Sequence, residues 1–287
     1  MFQIIAPVDG SAPALDAVRW AAREAMARGL PLRLLHAYPP PPPRLPAAVD
    51  PESRWVTAMS EHGDHVLATA SAVARAAAPG VDPILDQRMG TPSQVVVEAS
   101  ERAHAVVMGS RGLGGFRGLL AGSLTLTMAT HSHSPVVVIH GTAPEPGPVV
   151  VGVDGSPAGD AALAFAFDHA AHHGVGLRAV HAWTDTVYAS SWAPLPYLAR
   201  WDAIIEQEHA VLAERLAGWN EKYPEVPVER VVVRDRPARA LLDHADDAQL
   251  VVVGSRGHSP LRGVVIGSTA QSVLHHAECP VAVIPAR

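Results

Sequence analysis

This chain of 287 residues has one cysteine, one lysine and no long apolar run. The lone Cys279 excludes an intrachain disulfide framework and agrees with a reducing compartment. Placed just before an apolar run, it reads as a small buried residue rather than a redox sensor. Lys222 lies far from every glycine-rich segment, so a Walker-type P-loop, whose lysine must reach the terminal phosphates, is excluded. Nothing approaches the roughly 18 consecutive apolar residues needed to span a bilayer, so no membrane role is expected. The chain enters a strand-like run at 2–8 without a basic leader or a small-residue cleavage site, and its expected location is the cytoplasm. The formal charge is −6 and no basic stripe with interleaved aromatics occurs, so nucleic acid is not an expected partner. Of the 16 histidines, His131 with His133 and His172 with His173 lack carboxylates or cysteines at ligand spacing; they read as solvated helix ends, and no metal site is expected.

What is present is a glycine pattern that occurs twice. Gly109, Gly112, Gly122 and Ser123 return as Gly254, Gly257, Gly267 and Ser268, each 145 residues later. The same offset relates Asp9-Gly10-Ser11 to Asp154-Gly155-Ser156, His36-Ala37-Tyr38 to His181-Ala182-Trp183, Pro92 to Pro237, and Ser134-Pro135 to Cys279-Pro280. The chain is therefore a duplicated domain, with domains expected over 1–141 and 149–287. Between them, 142–148 carries the Pro and Gly content of an exposed connector.

Within each half, short β-branched runs alternate with longer alanine-rich amphipathic segments. That is the pattern of a parallel sheet with crossover helices, α/β in class. The spacing predicts strands near 3–8, 32–37, 82–88, 105–109 and 135–140, with helices near 12–28, 52–77, 92–102 and 123–132; the second half repeats the order. Two open, Rossmann-like five-stranded sheets with helices on both faces follow. Right-handed crossovers bring the ends of strands one and four to one carboxyl edge. Five prolines at 39–43 read as a rigid spacer, and Tyr188, Trp192, Tyr197 and Trp201 read as cover for a core edge or an interface.

The glycine pattern leaves a buried strand and ends at a helix start. A tight, glycine-permissive backbone followed by free helix N–H groups is a way to meet an anion, so two phosphate sites of one design are expected. Arg111 and Arg117, with Arg256 and Arg262, supply positive charge, and the segments 113–121 and 258–266 are long enough to close over a triphosphate. Asp9 and Asp154 end the first strand of each half, where a carboxylate can accept from ribose hydroxyls or, alternatively, cap the next helix. The backbone of Ala37 or Ala182 would meet an adenine edge.

On these motifs the chain resembles, over essentially its whole length, the tandem form of the universal stress protein, whose ATP-binding members carry G-x2-G-x9-G-[S/T] after the fourth strand. Carried onto this chain, the resemblance implies the ligand residues Asp9, Ala37, Gly109, Gly112, Gly122, Ser123 and Leu124 in the first half. In the second it implies Asp154, Ala182, Gly254, Gly257, Gly267, Ser268 and Thr269. It implies one ATP per domain, with or without Mg, an internal pseudo-dimer of the two domains, and association of two chains into a homodimer. Two positions depart between the halves: Pro7 stands where the second half has Gly152, and Ser134 where it has Cys279.

The expected function is an ATP-binding stress-response regulator or sensor that signals by occupancy. No lysine, paired carboxylate and base assemble around the glycines, as phosphoryl transfer would require, so no catalytic residue is assigned. The alternative is a slow ATPase or an adenylate-handling hydrolase of similar fold, with His36 or His181 as its base.

Overall fold

The computed structural model describes residues 2–41, 51–112, 122–141, 146–184, 201–257 and 266–285, without the side chains of 51–53 and 201. It divides into two compact units, Met1–His140 and Gly141–Arg287. The first contains β1 (Gln3–Pro7), α1 (Ala12–Arg28), β2 (Leu32–Tyr38), α2 (Pro51–Ala77), β3 (Ile84–Met89), α3 (Pro92–Ser100), β4 (Ala103–Gly109), α4 (Ser123–His131) and β5 (Val136–Ile139). The second repeats it as β6 (Val149–Gly152), α5 (Pro157–His173), β7 (Leu177–Trp183), α6 (Trp201–Lys222), β8 (Val228–Arg234), α7 (Pro237–Asp243), β9 (Leu250–Gly254), α8 (Ser268–His276) and β10 (Val281–Ile284). Among the described residues no helix is long and apolar enough to cross a membrane.

In the first unit the strand order is β3-β2-β1-β4-β5, and in the second β8-β7-β6-β9-β10, with every pair inside a unit parallel. Chain order reverses between β1 and β4, and again between β6 and β9. Crevices at the carboxyl ends of strands open at such reversals. The strands beside each reversal are buried on both faces, which is why they read as unbroken apolar runs: Ile4, Ile5, Val106 and Val107 are fully buried, as are Val150, Val151, Val251 and Val252.

Helix α1 starts where Ser11 accepts a hydrogen bond from the Ala14 N–H, has Pro13 in its first turn, and stops at Gly29 in the left-handed region. Helix α5 repeats all three devices with Ser156, Pro157 and Gly174. Phe167 of α5 is fully buried and stacks on Trp219 and Tyr223, locking α6 to the second unit. The expected elements form within two residues of their anticipated ends. The connector at 142–145, the last two of the five prolines, and Tyr188, Trp192 and Tyr197 lie outside the described residues.

Candidate functional site

A cleft of about 360 Å³ opens at the reversal of the first unit, and one of about 270 Å³ at that of the second. The first is lined by all seven residues anticipated there: Asp9, Ala37, Gly109, Gly112, Gly122, Ser123 and Leu124. The second gathers Asp154, Ala182, Gly254, Gly257, Gly267, Ser268 and Thr269 in the same way. Arg111 and Arg256 line the respective clefts from exposed positions, whereas Arg117 and Arg262 lie outside the described residues.

The glycines serve a different purpose from the one their spacing suggested. None of these six adopts a positive φ, so backbone permissiveness is not the reason for them. A β-carbon at Gly109 would stand 2.6 Å from the backbone of Pro13, and one at Gly254 about 3.0 Å from that of Ala158, so these two let a strand end pass close to a helix start. At Gly112 and Gly257 the neighbour is Asp9 or Asp154. Gly122 and Gly267 are different again. Among the described residues a β-carbon there would meet nothing closer than 3.6 Å or 3.5 Å, so they do not demand glycine, and its lack of a side chain leaves the cleft wall bare.

That bare wall is a helix start. Gly122 and Gly267 are the N-caps of α4 and α8, and neither helix receives a side-chain cap. The cap N–H groups are spent closing the loop, from Gly122 to the Ser110 carbonyl at 3.0 Å and from Gly267 to the Ser255 carbonyl at 2.8 Å. Among the described residues the next three N–H groups, of Ser123, Leu124 and Thr125, have no internal partner; Ser268, Thr269 and Ala270 are the same. All six residues line the clefts. Each cleft thus receives three unsatisfied donors and the positive end of a helix dipole.

Opposite stands the aspartate. Asp9 Oδ1 accepts from the Ser11 N–H at 3.0 Å, and Asp154 Oδ1 from the Ser156 N–H at 2.9 Å and its hydroxyl at 2.7 Å. The serines, not the aspartates, cap the helices. Ala37 and Ala182 form the third side. Leu35, pointing at β1, accepts from the Val8 N–H, and residues alternate sides along a strand, so the Ala37 N–H and carbonyl face the space that β1 vacates by turning away. The bond from the Val153 N–H to the Val180 carbonyl places Ala182 likewise.

His36 and His181 line neither cleft. Nδ1 of each lies 2.8 Å from a carbonyl, of Val8 and Val153 respectively; a carbonyl only accepts, so this nitrogen carries the hydrogen. Nε2 of His181 is engaged by Glu208. Each ring thus clamps a strand end, and the alternative reading of His36 or His181 as a base has neither histidine among the described cleft-lining residues. The spacing also did not reveal the apolar floor of the clefts, Leu35, Val96 and Met108 against Val180, Leu241 and Val253. The recurring prolines, Pro92 and Pro237, were the only trace of it. His131, His133 and His172 are exposed, and His173 stacks on the buried His169.

A family model described as the universal stress protein family matches residues 1–140 and again 147–285. A universal stress protein of Mycobacterium tuberculosis is 41% identical over 293 residues, covering 98% of this chain and 95% of its own. One from Mycolicibacterium smegmatis is 37% identical over 294 residues, covering 100% and 98%. The crystal structure of a universal stress protein from Archaeoglobus fulgidus superposes with a TM-score of 0.71 over 99% of this chain and 96% of its own, at 22% identity, a likeness of fold.

Proposed function

Since this chain belongs to the universal stress protein family, we propose that it is a cytoplasmic ATP-binding regulator that takes one nucleotide in each unit and signals by occupancy rather than turnover. One observation carries the reading. In both units a helix starting at glycine aims three unsatisfied N–H groups into a cleft whose other walls are an aspartate and an outward-facing strand backbone. The donors suit phosphate oxygens, the carboxylate suits ribose hydroxyls, and the alternating donor and acceptor of Ala37 or Ala182 suit an adenine edge above an apolar floor. Among the described lining residues, a magnesium ion arriving on the triphosphate would find one carboxylate per cleft, Asp9 or Asp154, which fits a cation held mainly by the substrate's own phosphates. In the same reading two chains associate, which light scattering would register.

The test is direct. The purified protein is denatured and any released nucleotide is identified by mass spectrometry, and the stripped chain is titrated with ATP by calorimetry. The expected result is adenine nucleotide in the extract and two sites per chain. A stripped, folded chain that binds no ATP would overturn the reading.

A further inference from the structure

The two clefts share a backbone but not the bracing of their aspartates. In the second unit, Asp154 stands between two residues that α6 holds in place. On one side the Val153 carbonyl accepts from His181 Nδ1 at 2.8 Å, and Nε2 of that ring lies 2.8 Å from Glu208 Oε2, with both side chains largely buried. On the other side is Gly155, at φ +75°, where a β-carbon would stand 2.9–3.1 Å from the Nη2, Cζ and Nε atoms of Arg215. Three guanidinium atoms at nearly equal distance mean that the group lies flat against the turn. Glu208 and Arg215 are seven residues apart, so they project from one face of α6, two turns apart.

The first unit keeps the ring and loses the rest. His36 makes the matching bond to the Val8 carbonyl at 2.8 Å. The residue in register with Glu208 is Gly63, and the Gln87 side chain fills that space, donating to the Ser60 carbonyl. Gly10, the counterpart of Gly155, is covered by a Val66 methyl at 3.4 Å from its β-carbon position. One aspartate turn is therefore covered by a methyl group, while the other is flanked by a carboxylate, through His181, and a guanidinium from a single helix.

We propose that His181, Glu208 and Arg215 are positioning residues of the second site, through which α6 sets the direction of Asp154 and is coupled to the occupancy of that site alone. The inference rests on the nucleotide reading above and gives it a regulated site. Fixing the Val153 carbonyl and the Gly155 turn fixes the backbone on both sides of Asp154, so a ligand that needs the carboxylate in one direction binds a pre-organised group. By linkage, a ligand that holds Asp154 holds α6. The first site has no such coupling to α2.

The experiment reads each site separately by calorimetric titration with ATP: the second in a Gly122→Glu chain and the first in a Gly267→Glu chain. His181→Ala is expected to weaken the second site about tenfold, the scale of one buried hydrogen bond. His181→Asn, whose amide N–H reaches the same carbonyl but not Glu208, restores part of the loss, to the level of Glu208→Ala. Glu208→Ala and Arg215→Ala each weaken the second site about threefold to tenfold, and the first site stays within about twofold throughout. Hydrogen exchange shows ATP slowing α6 amides in the Gly122→Glu chain, and the Glu208→Ala, Arg215→Ala double variant abolishes this. Arg215 is exposed, so its variant folds even if His181→Ala does not. The proposal is overturned if Arg215→Ala and Glu208→Ala leave the second site within twofold, if both sites weaken alike, or if His181→Asn is no better than His181→Ala. Failure of the wild-type chain to bind ATP at all overturns the nucleotide reading first, and this coupling with it.

Discussion

A β-carbon on Gly112 would stand 2.5 Å from the Oδ2 atom of Asp9, and one on Gly257 would stand 2.7 Å from Oδ2 of Asp154. The obstructed atom is the end of a side chain, so the fold can yield by swinging the carboxylate aside. Gly112→Ala is therefore expected to fold with stability within about 1 kcal/mol of wild type, while ATP affinity at the first site falls about tenfold or more. Gly109→Ala is the contrast, because its obstruction is the Pro13 backbone at 2.6 Å, which cannot rotate away. It should cost about 1–3 kcal/mol of stability, measured by denaturant unfolding. If Gly112→Ala proves the more destabilising of the two, the roles assigned to these glycines are wrong.

Among the described residues, Gly122 and Gly267 have room for a β-carbon at ordinary contact distance. Gly122→Glu should leave the chain folded, place a carboxylate against the three donors of α4, and reduce calorimetric stoichiometry from two to one. Gly267→Glu should do the same at α8, and the double variant should bind none. Gly122→Ala separates bulk from charge, with an expected loss smaller than that of the glutamate. Retained stoichiometry of two in Gly122→Glu would move the phosphate seat elsewhere.

The repeat made most of this legible in advance. A residue such as Gly122 that recurs at fixed offset with Ser123, beside a helix-start pattern, announces a helix N-terminus, and the β-branched runs at 105–109 and 250–253 announce buried parallel strands. What the sequence could not show is why each glycine is a glycine. Gly109, Gly112 and Gly122 look alike in one dimension, but a β-carbon would meet a helix backbone, a carboxylate and only ordinary van der Waals contact respectively. The brace of Asp154 was hidden for a related reason. Glu208 and Arg215 are ordinary charges on an amphipathic helix until the fold brings them to His181 and Gly155.

Cys279 lies behind the entry to β10, 5% exposed, and burial pushes its thiol up from 9.0 to about 11. The folded chain thus keeps a proton that the unfolded chain releases. The sign follows: this contribution to stability is fully present below pH 9 and is lost as pH rises toward 11, a difference of about 3 kcal/mol for two pH units. Cys279→Ala should lack that part of the alkaline loss in denaturant unfolding at pH 8 and pH 10.5. At pH 8 the folded thiol should also alkylate with iodoacetamide about 100-fold more slowly than the unfolded one, since the thiolate fraction alone falls by that factor. Rapid alkylation of the folded protein would overturn the reading of Cys279 as an inert buried residue.

Occupancy signalling and turnover make opposite demands on the same donors. If bound ATP is the signal, it must satisfy the N–H groups of Ser123, Leu124 and Thr125, and those of Ser268, Thr269 and Ala270, for long enough to be read. Their amide exchange should then slow on ATP addition in wild type and remain fast in the Gly122→Glu, Gly267→Glu double variant. A ligand that favours one arrangement of the site by about 1.4 kcal/mol shifts its population tenfold, so a modest preference suffices for a switch. Hydrolysis must be slow on this scale, because each turnover erases the state. An enzyme would instead show on the order of 1 turnover per second or more. In the structure His36 and His181 are spent on the Val8 and Val153 carbonyls, so their substitution should change affinity rather than a chemical step. Steady-state phosphate release at enzyme rates, abolished by His36→Asn although that side chain can keep the carbonyl bond, would replace the regulator with a hydrolase.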